Sequence, residues 1–213
     1  MGTDEWGQAF ERALLAMDRV GARETLMAAA QSVGVLDASE QVVTPALEHI
    51  GDDWERGGVS LAQLYMAGRI AEQIVGEVLP QNAPGEGEAP QIAIAVLEDQ
   101  HALGKRLVLS ALRSSGHAVA DYGLGVSVAR LVERCHDDQP RVLMISTLML
   151  PAALHVRDVV DQLALSGSRP VVLVGGAPFR LDPELWREVG ADGVGRNSAE
   201  AIQLVDSFTG GAR

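Results

Sequence analysis

Gln91-Ile92-Ala93-Ile94-Ala95-Val96-Leu97-Glu98-Asp99-Gln100-His101-Ala102-Leu103-Gly104 runs from a near-continuous apolar segment into a short polar turn. An apolar run without alternation is the pattern of a strand buried on both faces, as in a parallel sheet. The turn after it holds D-x-H-x-x-G: Asp99, His101 and Gly104. A neutral imidazole is a good ligand for a borderline transition metal. A carboxylate two residues away can take a hydrogen bond from the other ring nitrogen, which fixes the tautomer and raises the basicity of the ligand.

Downstream the pattern alternates between strand and helix. Strands are predicted over 91–97, 118–122, 141–146, 170–174 and 193–195. Helices are predicted over 103–114, 126–134, 152–165, 183–189 and 199–208. Five β–α units in a row give a doubly wound, five-stranded parallel sheet, flavodoxin- or Rossmann-like, whose ligands bind at the carboxyl ends of the strands. Those ends carry Asp99 and His101, then Ser146, then Gly175-Gly176. A phospho-receiver domain would need an aspartate where Ser146 stands. A dinucleotide-binding fold would need G-x-G-x-x-G directly after the first strand. Gly123-x-Gly125 follows the second strand and reads as a loop.

Upstream every segment reads helical. Trp6, Phe10, Leu14 and Met17 recur at helical spacing, and 24–33 forms a second helix stopped near Gly34. Ser39 or Thr44 is placed to cap a third helix through Trp54, ended by Gly57-Gly58. Ser60 caps a fourth through Ile74. The division is therefore a four-helix bundle over 1–80, a Pro/Gly-rich linker over 81–90 and an α/β domain over 91–213.

The chain has 213 residues, 47% hydrophobic and 4% aromatic, so its core is mostly Ala, Val, Leu and Ile. A net charge of −12 argues against nucleic acid or an anionic membrane as partner. The single cysteine, Cys135, forms no intramolecular disulfide and reads as a small core side chain. The N-terminus has no basic-then-apolar segment, and no apolar run is long enough to span a bilayer. The expected compartment is the cytoplasm.

The second half resembles the cobalamin-binding domain shared by methionine synthase, cobalamin-dependent mutases and the corrinoid proteins of methyltransferase systems. The resemblance rests on Asp99-x-His101-x-x-Gly104, Ser146-Thr147-Leu148 and Gly175-Gly176, which follow the first, third and fourth strands. The first half resembles the helical cap of the methionine-synthase and corrinoid-protein branch, through Gly51-Asp52-Asp53-Trp54-Glu55-Arg56-Gly57-Gly58-Val59-Ser60.

The resemblance implies a cobalamin, as methylcobalamin or another corrinoid, with His101 as the lower axial ligand of cobalt in place of the cofactor's own base. It implies that Asp99 holds the second ring nitrogen. Gln100, Gly104, Ser146, Leu148, Leu150, Gly175 and Gly176 would contact the cofactor and its nucleotide tail, and Trp54, Tyr65 and Met66 the upper face. The implied role is a non-catalytic corrinoid subunit that carries a methyl group between partner methyltransferases, the cobalt cycling between Co(I) and methyl-Co(III). A cobalamin sensor with a signalling partner, or a storage and delivery protein, would use the same domain, and a homo-oligomer is left open.

Two departures stand out. Methionine synthase has a second serine, six residues after the first, that bonds the aspartate and completes a proton relay; the matching residue here is Ala152. Light-sensing cobalamin repressors place a ligating histidine eleven residues after the cap tryptophan, where this chain has Tyr65.

Overall fold

The computed structural model describes residues 2–79, 91–167 and 169–210. Contacts divide the chain into Met1–Pro80 and Gln81–Arg213. The segment 81–90, read above as a linker, lies outside the described residues.

The first unit is all helical. It comprises α1 (Thr3–Leu15), α2 (Arg19–Val33), α3 (Val35–Ala38), a π-helical turn at Ser39–Val43, α4 (Thr44–Glu55) and α5 (Leu61–Val78). α2 begins five residues earlier than the periodicity predicts, because Asp18 caps it by accepting from Gly21 N–H. The third helix begins directly after Gly34, and neither Ser39 nor Thr44 is its cap. Ser39 is itself helical and its hydroxyl donates to the Val35 carbonyl at 2.8 Å. From Val35 to Glu55 the chain is one helical rod with a π turn in it. Pro45 stands two residues beyond that turn and has no N–H to give to the preceding turn, so the wider register falls where the ladder is already interrupted. Ser60 and Gln63 form a reciprocal capping box that starts α5. Phe10, Leu14, Leu26, Ile50, Ile74 and Val75 are buried at the centre of the unit.

The second unit is the expected doubly wound sheet. β1 (Ile92–Leu97) is followed by α6 (Leu103–Ser114), β2 (Val119–Val126), α7 (Val128–Asp138), β3 (Val142–Ser146), α8 (Leu150–Leu154) and α9 (Val156–Leu165). Then come β4 (Val171–Gly175), α10 (Ala177–Leu181), α11 (Leu185–Glu188), β5 (Gly193–Val194) and α12 (Ser198–Thr209). All pairings are parallel, in the order β2-β1-β3-β4-β5. Every residue of β1 is buried. Ile92 and Ile94 point into the layer formed with α6 and α12, while Ala93, Ala95 and Leu97 point into the layer formed with α7 and α9. Cys135 lies in that second layer, and burial pushes its thiol up to about 12, so it is packing material.

The sheet order reverses between β1 and β3. The crevice at the carboxyl ends of those two strands is where an open α/β sheet takes its ligand.

One reading of the sequence is corrected. Gly123 and Gly125 belong to β2 rather than to a loop. The register jumps from Ile94–Asp121 to Ala95–Gly123 and then to Leu97–Val126, so β2 carries two extra residues against β1. Both glycines take positive φ, +97° and +62°, which lets an edge strand bulge and still return to its ladder.

Candidate functional site

The residue after β1 is Glu98, held in the left-handed region at φ +46°. The chain turns there, and Asp99 enters the crevice with its side chain 1% exposed. One carboxylate oxygen, Oδ1, accepts from the His101 backbone N–H at 3.0 Å and pairs with His101 Nδ1. The other, Oδ2, accepts from Leu148 N–H at 2.9 Å and from Met149 N–H at 3.0 Å. Burial pushes the Asp99 carboxyl up. The His101 ring and the N–H groups of Leu148, His101 and Met149 outweigh it, so the carboxyl stays below its ordinary value.

An ionised Asp99 can only accept, so His101 Nδ1 must donate. The proton of a neutral imidazole then sits on Nδ1, and Nε2 is left with a free lone pair. The His101 side chain is 46% exposed while its carboxylate partner is buried. The loop therefore presents one metal-binding nitrogen outward and ties the other down. One imidazole can offer one bond, which is enough for a metal that arrives with its remaining ligands.

Ala152 is buried and brings no hydroxyl to Asp99. Asp99 Oδ2 accepts instead from two main-chain N–H groups of the β3–α8 turn.

Ser146 closes β3 and is paired in register with Gly175. A Cβ on Gly104 would lie 3.5 Å from Ser146 Oγ, so the start of α6 and the end of β3 face one another. Gly175 has the Gly195 carbonyl 2.9 Å from where a Cβ would be. Gly176, at φ +123°, would put a Cβ 1.7 Å from the Thr147 carbonyl oxygen. A side chain at Gly176 must therefore move the strand end itself as well as fill the crevice. We expect Gly176→Ala to lower stability by roughly 2 kcal/mol, read as a lower midpoint in urea unfolding of the apo-protein.

Thr147 Oγ1 is buried with no hydrogen-bond partner among the described residues. Leu148, Met149 and Leu150, by contrast, are 45%, 53% and 54% exposed. They border a mostly apolar groove completed by Pro178, Leu181, Asp182 and Leu185. Contiguous exposed apolar side chains mark a surface that is covered in use.

The structure thus brings together Asp99, His101, Gly104, Ser146, Leu148, Gly175 and Gly176. Gln100 is exposed beside Gly125, and Leu150 opens α8. Trp54, on α4, and Tyr65 and Met66, on α5, belong to the other unit, where they are 42%, 62% and 38% exposed. Large apolar side chains left at a surface are available for contact, and Trp54 is not core of the bundle.

A sequence profile described as a B12 binding domain matches residues 91–203, and a second profile of the same description matches residues 6–78. The chain belongs to the B12-binding family.

Among the relatives of this B12-binding protein, monomethylamine corrinoid protein 1 of Methanosarcina barkeri is 30% identical over 83% of this chain and 84% of its own. Trimethylamine corrinoid protein 1 of Methanosarcina mazei is 26% identical over 88% and 89%. The solved structure of the Methanosarcina barkeri monomethylamine corrinoid protein covers 96% of this chain and 98% of its own, with a TM-score of 0.79 and 27% identity. The methanol:cobalamin methyltransferase complex of the same organism contributes a chain of the same fold, at 20% identity and a TM-score of 0.53.

The cofactor of the B12-binding protein is a cobalamin or a related corrinoid. The residues fit that group. His101 offers an outward nitrogen, glycines let the backbone approach closely at the start of α6 and the end of β4, and the buried Thr147 hydroxyl has hydrogen-bonding capacity to spare. Among the described residues no helix is long and apolar enough to cross a membrane.

The sequence reading missed Met149, whose N–H completes the Asp99 site, and Gly125, which packs beneath the loop. Main-chain donors leave no side-chain signature. The Gly123-x-Gly125 pattern was the one visible trace of the bulge.

Proposed function

We propose that the chain is the corrinoid subunit of a methyl-transfer system, holding cobalamin base-off with His101 as the lower axial ligand and carrying a methyl group between partner methyltransferases. The observation that carries this reading is the His101–Asp99 pair at the β1/β3 switch point, with Nδ1 committed and Nε2 free. Bound cobalamin supplies the cobalt centre that takes up and gives up the methyl group; the protein supplies ligation, shielding and docking.

His101 offers Nε2 to the metal, and Asp99 keeps the ring oriented and its proton on Nδ1. Leu148 and Met149 lock Asp99 through their N–H groups and turn their own side chains outward. Ser146, Gly175 and Gly176 line the slot for the nucleotide tail, and Gly104 lets the turn after β1 pass near the corrin. Leu148 and Leu150 supply apolar surface beside it. In this reading the helical unit contributes Trp54, Tyr65 and Met66, exposed apolar side chains, as contacts to the cofactor's upper face. Relatives named as methylamine corrinoid proteins support this role over nearly the whole chain.

The test uses the full chain loaded with methylcobalamin and mixed with a methyltransferase that removes methyl groups from corrinoid proteins, together with the thiol that this enzyme methylates as the acceptor. The expected result is demethylation, followed by absorbance, that is stoichiometric with bound cobalt and faster than from free methylcobalamin at equal concentration. Transfer no faster from the bound than from the free cofactor would overturn the carrier reading.

A further inference from the structure

The loop that carries His101 is not held by β1 alone. After β1 ends, Glu98 N–H donates to the Val126 carbonyl at 3.0 Å, and Gly125 N–H donates to the Asp99 carbonyl at 2.7 Å. These two bonds continue the β1–β2 ladder past the strand end and out under the D-x-H-x-x-G turn. They lie at the end of the bulged stretch, where β2 carries two extra residues between its pairings with Ile94 and Leu97.

Gly125 is suited to this place in two ways. It takes φ +62°, a conformation that L side chains rarely adopt. A Cβ there would meet Gln100 Nε2 at 2.1 Å, but that is the far end of an exposed, flexible side chain that can swing aside, so the bare glycine lets Gln100 lie close while φ is what separates one substitution from another. The root of the bulge is fixed as well. Asp121 accepts from Gly123 N–H at 2.8 Å and pairs with Lys105, a buried lysine on α6, the helix the turn leads into. Lys105 also reaches the Gly123 carbonyl at 3.5 Å. Both sides of the His101 turn are thus tied to one short stretch of edge strand.

We propose that Gly125 is a positioning residue for the lower ligand. Through the Asp99 carbonyl, the bulged end of β2 sets where the Asp99 carboxylate sits, and so sets the orientation and tautomer of His101. This rests on the reading of His101 as the cobalt ligand, but its first readout does not need the cofactor. Strain at residue 125 has an easy outlet. β2 is an edge strand with one free side, so its end can pull away from Asp99 while the rest of the sheet stays folded.

The test compares Gly125→Ala, Gly125→Asn and Leu124→Ala in the full chain. Asparagine tolerates the left-handed region and alanine does so poorly. Leu124 lies in the same bulge but its side chain is exposed. In the apo-protein, ¹⁵N shifts of His101 report the tautomer. The wild type should show the proton on Nδ1. Gly125→Ala should raise the share carrying it on Nε2 by about fivefold, Gly125→Asn should recover most of the wild-type ratio, and Leu124→Ala should match the wild type. With cobalamin bound, the absorbance spectrum should show the histidine-ligated share falling in the same order, while circular dichroism stays constant.

An apo tautomer ratio in Gly125→Ala equal to that of the wild type would overturn the proposal. So would equal changes in Gly125→Ala and Leu124→Ala, or a loss of fold in Gly125→Ala with the tautomer unchanged in the remaining folded fraction. A wild-type holoprotein without histidine ligation would instead remove the His101 reading, and the apo tautomer series would still decide the role of β2.

Discussion

Replacing His101 by alanine is expected to leave the fold intact and to weaken cobalamin binding by about a hundredfold or more. The side chain is half exposed and its ring has one hydrogen-bond partner among the described residues, Asp99, so little packing is lost. What disappears is the imidazole nitrogen that the turn after β1 presents outward. Removing an outer partner of a metal ligand already costs on the order of 10- to 100-fold in affinity, and removing the ligand should cost no less. Asp99 would keep its bonds from the backbone N–H groups of His101, Leu148 and Met149, so the turn should hold. Titration of the apo-protein with hydroxocobalamin, with thermal melts alongside, measures both quantities. Unchanged affinity would mean that the cofactor is held without His101.

The second large effect is expected from Asp99→Asn. An amide has one acceptor and one donor end, and neither orientation serves the site. With its oxygen towards Leu148 and Met149, its NH₂ faces the His101 backbone N–H and donates to Nδ1. That moves the ring proton to Nε2, the nitrogen meant for the metal. With its oxygen towards His101, its NH₂ opposes two main-chain N–H groups at the end of β3. The expected cost is roughly 2–3 kcal/mol of apo stability, together with about 10- to 100-fold in cobalamin affinity.

The carboxylate also predicts a pH dependence. The folded-state pKa of Asp99 lies below its ordinary value. Its contribution is therefore complete above about pH 5 and is lost as the pH falls through the ordinary value near pH 4 towards the depressed folded one. Urea unfolding of the apo-protein from pH 6 to pH 3 should show a steeper acid loss in the wild type than in Asp99→Asn. Parallel curves would mean that Asp99 is not held as an ionised acceptor.

Much of this was legible in the sequence. The apolar run into Asp99 and His101, the serine closing β3 and the glycines closing β4 are local patterns, each set by what a strand end needs. Together they gave the sheet and the end of it that matters. The bundle was legible for the same reason, down to the Ser60 cap.

The sequence reading failed where a partner is tertiary or where the backbone is unusual. Gly123 and Gly125 look the same in a loop as in a bulged edge strand, and only pairing with β1 separates the two. The absent relay serine at Ala152 looked like a broken chain of side chains. In the fold Asp99 Oδ2 accepts from main-chain N–H groups, which no residue type announces. The start of the third helix was misplaced because Ser39 resembles a cap, while Gly34 had already reset the chain five residues earlier.

The most direct test of the central claim is electron paramagnetic resonance of the protein reconstituted with cobalamin and reduced to the cobalt(II) form, prepared once with natural-abundance histidine and once with ¹⁵N-histidine. Ligation by His101 predicts that each cobalt line is split into three by one axial ¹⁴N, and that the triplet becomes a doublet in the labelled protein. A triplet unchanged by labelling would place the cofactor's own base on cobalt, and no nitrogen splitting at all would leave His101 unbound; either result would contradict the account.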